Sequence, residues 1–287
     1  MPRRVEVDFK VLDDILKKDY NHGGVTVLVS GAKGSGKTTL LLRLAENLAK
    51  KELVIWRGMF SCQWLFSLVP VNLILPCKTK VILIKEQGSE RVSPESVVEY
   101  VSYYSDVNEV YRCTKKKALN VIYTRNIYDW IKIFEFLIYR DDVRFVDILF
   151  DEIEDLFPLN PAGEIWNLVE YGARLLKEFR KTYISLYAAT QKVSDVDYRI
   201  LNKINYFVYL RGAKIRKNSI VEQRIVNFLN PGVAIIEGSY YQYFRFSDIN
   251  RPPVRAKISL GETPSPCLLY TSPSPRDLST SRMPSSA

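Results

Sequence analysis

The chain has 287 residues, of which 47% are hydrophobic and 25% are charged. These proportions are ordinary for a globular protein and exclude a largely disordered chain, and the length suits one large α/β domain or one domain with a small appendage. The formal net charge of +9 favours a polyanionic partner, such as nucleic acid or an acidic membrane surface, with a solvated basic surface as the alternative.

The four cysteines, at positions 62, 77, 113 and 267, form no C-x-x-C pair, and His22 is the single histidine. This inventory offers no metal-binding cluster of the usual spacing. No signal peptide opens the sequence. We therefore predict a reduced, cytoplasmic protein without structural zinc.

Residues 1–24 are predicted to form an N-terminal extension, with a strand and a short amphipathic helix within 5–20 and a turn at 21–24. A single domain is predicted over residues 25–260. Strands and helices alternate along it, which predicts a mainly parallel sheet covered on both faces.

The apolar run 25–30 is followed by the sequence GAKGSGKTT and then by a helical pattern. Strand, glycine-rich loop and helix together are the context that a phosphate-binding P-loop requires. The predicted nucleotide-binding residues are Gly31, Ala32, Lys33, Gly34, Ser35, Gly36, Lys37, Thr38 and Thr39. Backbone N–H groups would bind ATP phosphates, Lys37 would reach the β- and γ-phosphates, and the Thr38 hydroxyl would ligate Mg²⁺.

Short apolar runs predict further strands at 53–56, 80–84, 119–124, 145–150, 182–190 and 206–210. Capping signals and periodicity predict helices at 37–50, 93–104, 126–140, 165–180 and 219–229, the last one opened by a capping box of Ser219 and Glu222. A β-hairpin turning at Gly238-Ser239 is predicted over 233–246.

The most apolar stretch, MFSCQWLFSLVPVNLILP at 59–76, is interrupted by Gln63, Pro70 and Asn72. Its length is marginal for spanning a bilayer. We predict a buried strand and a loop here, with membrane contact as the alternative.

The strand predicted at 145–150 ends in the acidic pair Asp151 and Glu152. Downstream of a P-loop, this pattern is typical of a Walker B strand, whose acids lie where ligands bind in open α/β sheets. Asp151 would hold Mg²⁺, and Glu152 would polarise the attacking water as general base. Glu154 and Asp155 are rivals that rank lower because they lie beyond the strand end. The glutamate favours hydrolysis over phosphoryl transfer by a nucleotide kinase.

Residues 179–212, FRKTYISLYAATQKVSDVDYRILNKINYFVYLRG, resemble the HerA–FtsK superfamily of DNA-pumping ATPases. The shared pattern is a basic pair at a helix end, a strand ending Ala-Thr-Gln, a Ser-Asp segment and a strand ending near an arginine. Its members here are Arg180-Lys181, Ala189-Thr190-Gln191, Ser194-Asp195 and Arg211. The resemblance covers about residues 25–246.

The resemblance implies a RecA-like P-loop NTPase of the α/β class, with a mainly parallel sheet flanked by helices and a C-terminal β-hairpin. It implies an ATPase with ATP and Mg²⁺ as cofactors, acting as a homohexamer that translocates or packages double-stranded DNA with conjugation or packaging machinery. Gln191 would sense the γ-phosphate, and Arg180 would enter the neighbouring subunit's site.

A different class stays open: a membrane-associated secretion or virion-assembly ATPase, resembling zonula-occludens-toxin-like phage proteins and not acting on DNA. Two basic groups are candidates for DNA contacts, and each also fits a solvated loop. They are Lys115, Lys116 and Lys117 before a strand, and Lys214, Arg216 and Lys217.

The last residues, 261–287, are predicted to be a disordered tail. Within it, CLLYTSPSPRD (267–277) and SRMPSSA (281–287) resemble the two ends of a translated sequencing adapter, in the right order. We therefore expect 267–287 to be an artefact of sequencing, and leave it out of the prediction of the fold.

Overall fold

The computed structural model describes residues 18–59, 62–77, 81–85, 91–246 and 256–260, with only the backbone described for 81–85, 91–92 and 256–260. The strand and most of the helix predicted within 5–20, and the tail 261–287, lie outside the described residues.

The strands among these residues are β1 Thr26–Ser30, β2 Leu53–Arg57, β3 Val71–Pro76, β4 Val81–Lys85, β5 Arg91–Val92, β6 Tyr100–Tyr104, β7 Leu119–Ile122, β8 Val146–Phe150, β9 Ile184–Thr190, β10 Tyr206–Tyr209, β11 Val233–Glu237, β12 Tyr241–Arg245 and β13 Ala256–Leu260. The α-helices are α1 Lys37–Leu48, α2 Asp129–Ile138, α3 Glu164–Phe179, α4 Tyr198–Leu201 and α5 Gln223–Asn227.

The main sheet has the strand order β12-β11-β10-β1-β9-β8-β2-β7-β3-β6. All neighbours from β10 to β6 pair in parallel, and β11 and β12 add an antiparallel hairpin beyond β10. The strands β13, β4 and β5 form a smaller antiparallel sheet. The predicted fold class and the hairpin over 233–246 are both confirmed.

The position of β9 decides where a site can form. Although it follows β8 in the chain, β9 lies between β1 and β8 and pairs with both. Parallel strands end on the same edge, so the segments after these three strands meet there. That edge is where ligands bind in open α/β sheets.

Side chains that alternate along the strands build two apolar layers. Val27 and Val29 of β1 belong to the layer that packs on α1, and Leu28 belongs to the layer under α2 and α3. In α2, which lies within the helix predicted at 126–140, Trp130 and Phe134 are buried in this layer. The Trp130 ring meets the Phe150 ring edge-on, with centroids 5.2 Å apart.

The helix predicted over 93–104 is wrong. Only Pro94–Ser96 forms a short 3-10 turn, and the following residues form β6. The run YVSYY has β-branched and aromatic residues, and pairing with β3 over five positions favours the extended form over the capping signal of Ser93.

The capping box predicted at Ser219 and Glu222 is also wrong. Helix α5 begins at Gln223 with Glu222 as its N-cap residue, and no side chain caps it. The Ser219 hydroxyl donates instead to Glu237, at 3.0 Å. Its oxygen accepts from the Val221 N–H at 3.1 Å, so the serine stabilises the turn before the helix rather than the helix itself.

The described part of the apolar stretch, residues 59 and 62–76, forms the predicted buried strand and a loop before it. Its second half is β3, which is buried along its whole length, and Trp64 is fully buried beside it. Over the described ranges, none of the helices combines the length and the apolar character needed to cross a membrane.

Glu237 of β11 is a fully buried carboxylate that fastens the segment before α5 to the sheet. It accepts hydrogen bonds from the Tyr209 hydroxyl at 2.8 Å, the Ile220 N–H at 2.8 Å and the Ser219 hydroxyl at 3.0 Å. The Arg216 guanidinium lies 3.4 Å away and supplies the opposite charge.

Replacing Glu237 with alanine is expected to lower the free energy of unfolding by about 3 kcal/mol, because the buried Tyr209 hydroxyl, two part-buried donors and one cation lose their acceptor. Denaturant unfolding of the variant measures this loss. Glu222→Ala is the matched control, since Glu222 is exposed, and should change stability by less than about 0.5 kcal/mol. Equal stabilities of the two variants would contradict the role of Glu237.

Candidate nucleotide-binding site

The P-loop connects β1 to α1 through two glycines in the left-handed region, Gly34 at φ 77° and Gly36 at φ 96°. Gly36 is the N-cap residue of α1 and caps it with no side chain. The N–H groups of the first helical turn are thus left to bind an anion, with the helix dipole adding to the attraction. The loop therefore has the geometry of a phosphate cradle.

Lys37 closes over this loop. Its ammonium group donates to the carbonyl oxygens of Gly31 at 2.9 Å and Ala32 at 3.2 Å. Burial lowers the pKa of Lys37, and the nearby carboxylates, Asp151 first, oppose that shift. The lysine is thereby held at the mouth of the cradle.

The carboxyl end of β10 and the hairpin support the P-loop from one side. The Ala32 N–H donates to the carbonyl oxygen of Arg211 at 3.3 Å. A β-carbon at Gly36 would lie 3.2 Å from the ring of Phe246, which follows β12. The end of the hairpin therefore packs against the P-loop at Gly36.

Thr38 and Asp151 meet as the sequence predicts. The Thr38 hydroxyl donates to the Asp151 carboxylate at 2.7 Å. Burial raises the pKa of Asp151, although the Thr38 hydrogen bond and the positive charges of Lys37 and Arg57 act to lower it. A hydroxyl and a carboxylate are hard oxygen ligands, so this pair fits Mg²⁺.

Glu152 follows in an unusual conformation. Its φ of 56° and ψ of 63° place it in the left-handed region, directly before the 3-10 turn Ile153–Asp155. Burial raises the pKa of Glu152, with Asp155, Asp151 and Glu154 adding to the shift. Arg57 opposes it. A left-handed non-glycine residue costs about 1 kcal/mol or more and persists where neighbours hold it.

Arg57 at the end of β2 is the residue that holds this turn. Its guanidinium donates to the carbonyl oxygens of Asp151 and Glu152, both at 3.0 Å, and pairs with the Asp155 carboxylate at 2.6 Å. It also stacks 4.7 Å from the centroid of the Phe150 ring. No local pattern in the sequence identifies Arg57, because only the pairing of β2 with β8 brings it to the acidic turn.

Replacing Arg57 with lysine is expected to lower kcat for ATP hydrolysis about 10- to 100-fold with little change in KM, because one ammonium cannot replace the guanidinium fork and Glu152 loses its position. Steady-state kinetics measures the split. Arg140→Lys is the matched control, since Arg140 is also buried and donates to a carbonyl oxygen, that of Thr182, but at the opposite edge of the sheet. Equal kcat values for both variants would contradict the role of Arg57.

Gln191 lies directly after β9, at the same edge as the P-loop and the acidic turn. Its side chain is exposed, and its backbone N–H donates to the Glu154 carboxylate at 3.4 Å. Glu154 thus links the turn after β8 to the end of β9, and burial raises its pKa. The sequence pattern makes Glu154 a lower-ranked rival for the role of base, and in the structure its carboxylate accepts this bridging hydrogen bond.

Arg180 does not join the other predicted site residues. It follows α3, its carbonyl oxygen accepts from the Gly24 N–H at 3.0 Å, and its guanidinium donates to the His22 carbonyl oxygen at 2.8 Å. Gly24 precedes β1, and a five-residue strand spans about 16 Å. Arg180 therefore lies at the opposite edge of the sheet from the P-loop of its own chain.

The fold and the site together define the class. A P-loop between a central strand and a helix, an acidic turn after β8, and a mainly parallel sheet with β9 between β1 and β8 are the architecture of a RecA-like P-loop NTPase. The fold that the HerA–FtsK resemblance implied is confirmed.

No protein-family model and no curated protein matches the sequence. Among solved structures, the chain is similar in fold to the genome packaging NTPase B204 of Sulfolobus turreted icosahedral virus 2, solved with AMPPCP. The TM-score is 0.50 at 15% identity, over 78% of this chain and 98% of B204.

Two further structures show weaker similarity. The bacterial conjugative coupling protein TrwBdeltaN70 aligns with a TM-score of 0.47 at 11% identity, over 82% of this chain and 87% of the TrwBdeltaN70 chain. The N-terminal domain of zonular occludens toxin from Neisseria meningitidis aligns with a TM-score of 0.32 at 14% identity, over 84% of this chain and 96% of that domain.

Proposed function

We propose that the chain is an ATP-hydrolysing motor that translocates or packages double-stranded DNA. The observation that carries the proposal is the meeting of three segments at one sheet edge: the P-loop with Lys37, the acidic turn with Asp151 and Glu152, and the end of β9 with Gln191. The hydrogen bond from Thr38 to Asp151 closes the first two segments on each other.

The phosphates of ATP would lie on the P-loop, where the N–H groups of α1 and the ammonium group of Lys37 neutralise their charge. Thr38 and Asp151 would hold Mg²⁺. When bound, the ion polarises the phosphate oxygens and offsets developing charge. The remaining P-loop residues, from Gly31 to Thr39, shape the cradle.

Glu152 would accept a proton from the attacking water, because it stands one residue beyond the Mg²⁺-binding position and is fixed through Arg57. Gln191 would orient the same water, since an amide can accept and donate hydrogen bonds without taking the proton. Its link to Glu154 would relay the state of the γ-phosphate into β9.

Arg180 lies too far from its own P-loop to serve it. In a ring, it would enter the site of the neighbouring subunit, and the assembly implied by the resemblance is a homohexamer. A cation delivered across an interface stabilises the transition state of phosphoryl transfer.

The test is ATP hydrolysis measured against increasing concentrations of duplex DNA at low salt. The proposal predicts stimulation by duplex of any sequence, because a motor that tracks DNA contacts phosphates rather than bases. A rate that stays flat across DNA concentrations contradicts the DNA part of the proposal. Loss of hydrolysis on removing Mg²⁺ with a chelator is expected in either case.

A further inference from the structure

The outer strand of the hairpin has an open face. Tyr241, Tyr243 and Arg245 alternate along β12 and are all exposed, with Tyr243 48% exposed. The residue paired with Tyr243 on β11 is Ile235, which is fully buried. The layer that covers β10 and β11 therefore stops before β12, and leaves this face to solvent.

The segment beside this face is strongly basic. Residues 211–246 contain six lysines and arginines against two glutamates. One of the glutamates, Glu237, is buried and faces Arg216. Among the exposed residues of this segment, the one acid is Glu222, and five residues carry a positive charge: Arg211, Lys214, Lys217, Arg224 and Arg245.

Hydrogen bonds join parts of this basic segment to each other and to the sheet. The Gln223 side-chain amide donates to the Ala213 carbonyl oxygen at 2.8 Å, and the Gly212 N–H donates to the Val226 carbonyl oxygen at 3.2 Å. The Ile220 N–H donates to Glu237, whose partner on β12 is Tyr241. The cations are thus presented on a fixed support next to β12.

We propose that this surface, made of Tyr241, Tyr243 and Arg245 with the flanking Lys214, Lys217 and Arg224, binds the phosphate backbone of duplex DNA. The inference rests on the proposed function and locates its DNA contact. The positive charge complements a polyanion, and tyrosine hydroxyls are common donors to phosphate oxygens. We name this surface the hairpin face.

The other basic run is a poorer candidate. Lys115, Lys116 and Lys117 precede β7, and therefore lie at the edge of the sheet opposite the P-loop. The Lys115 ammonium lies 5.1 Å from the centroid of the Tyr100 ring, which already stabilises it. Arg216 is likewise engaged, with Glu237 and with the ring of Phe207 at 4.5 Å.

The experiment measures binding of a fluorescently labelled 30-bp duplex by anisotropy over a series of KCl concentrations. The test variant is Lys214→Glu/Lys217→Glu/Arg224→Glu. The matched control is Lys116→Glu/Lys132→Glu/Lys177→Glu, which changes the net charge equally at three other exposed lysines. Circular dichroism and basal ATP hydrolysis, measured without DNA, are expected to match the wild type for both.

The test variant is expected to bind duplex at least about 10-fold more weakly. The slope of the logarithm of the association constant against the logarithm of the KCl concentration is expected to become about 2 to 3 less steep, since each phosphate contact contributes about 0.9 to it. The control should keep most of the slope. If charge reversal impairs folding, the glutamine variant Lys214→Gln/Lys217→Gln should still reduce the slope by about 1 to 2.

Equal losses in test and control variants would overturn the hairpin face, because net charge alone would then explain binding. If the test variant binds duplex as the wild type does, and DNA still stimulates ATP hydrolysis by the wild type, DNA binding by the hairpin face is contradicted. The proposed function as a DNA motor is not contradicted by that result. A wild type that binds no duplex at low salt would overturn both. A change in assembly mass by light scattering without a change in slope would assign the face to contacts between copies, which also overturns the proposal.

Discussion

Replacing Glu152 with glutamine is expected to slow ATP hydrolysis about 10²- to 10⁴-fold while ATP binding is retained. The amide keeps the size and the left-handed backbone of the residue but cannot take a proton from water. The P-loop, Lys37 and the pair of Thr38 with Asp151 stay in place. Single-turnover hydrolysis and binding of a fluorescent ATP analogue measure the two quantities separately.

Glu154→Gln is the matched control, because it makes the same chemical change two residues away in the same acidic turn. The Glu154 carboxylate accepts from the Gln191 backbone, and an amide oxygen can still accept that hydrogen bond. We expect hydrolysis by this variant to fall less than about 10-fold. The opposite ranking of the two variants would identify Glu154 as the base.

Replacing Arg180 with alanine is expected to lower ATP hydrolysis by the assembled protein about 10³-fold or more, as for other arginines that act across an interface. The fold should survive, because the hydrogen bond from Gly24 uses the backbone carbonyl oxygen of Arg180, and the side-chain hydrogen bond that is lost, to the His22 carbonyl oxygen, is exposed. Lys181→Ala is the control. Lys181 is exposed, and its side chain pairs with Glu178 within three residues.

A mixing experiment separates action across an interface from action within one chain. Lys37→Ala should bind and hydrolyse no ATP, yet it keeps Arg180. When it assembles with Arg180→Ala, some interfaces combine an intact P-loop with an intact arginine, so hydrolysis should reappear in the mixture. A mixture as inactive as its two components would contradict the role of Arg180 in a neighbouring site.

The sequence predicted the parts of the site that are contiguous. The P-loop and the acidic pair are each short, and each follows an apolar strand, so their local patterns identify them. The position of Gln191 depended on a resemblance, and the insertion of β9 between β1 and β8 now places it at the same edge.

Arg57 could not be found in this way. Its role depends on β2 pairing with β8, which lies about ninety residues further along the chain. The same reason explains Glu237, which reads as a strand-end acid until Tyr209 and Ser219 are seen to converge on it. At 93–104, a local capping signal outweighed the β-propensity of YVSYY, and pairing with β3 decided the outcome.

The late arrival of β9 has a consequence for synthesis on the ribosome. When residues up to Phe150 have emerged, β1 and β8 both exist, but the strand that joins them has not been made. Both strands then have unpaired edges in the nascent chain. Unpaired strand edges promote aggregation and chaperone binding. Because β9 fills the gap and fixes the P-loop strand β1 relative to β8 and its acidic turn, tight ATP binding should appear in a newly made chain only after β9 has been added.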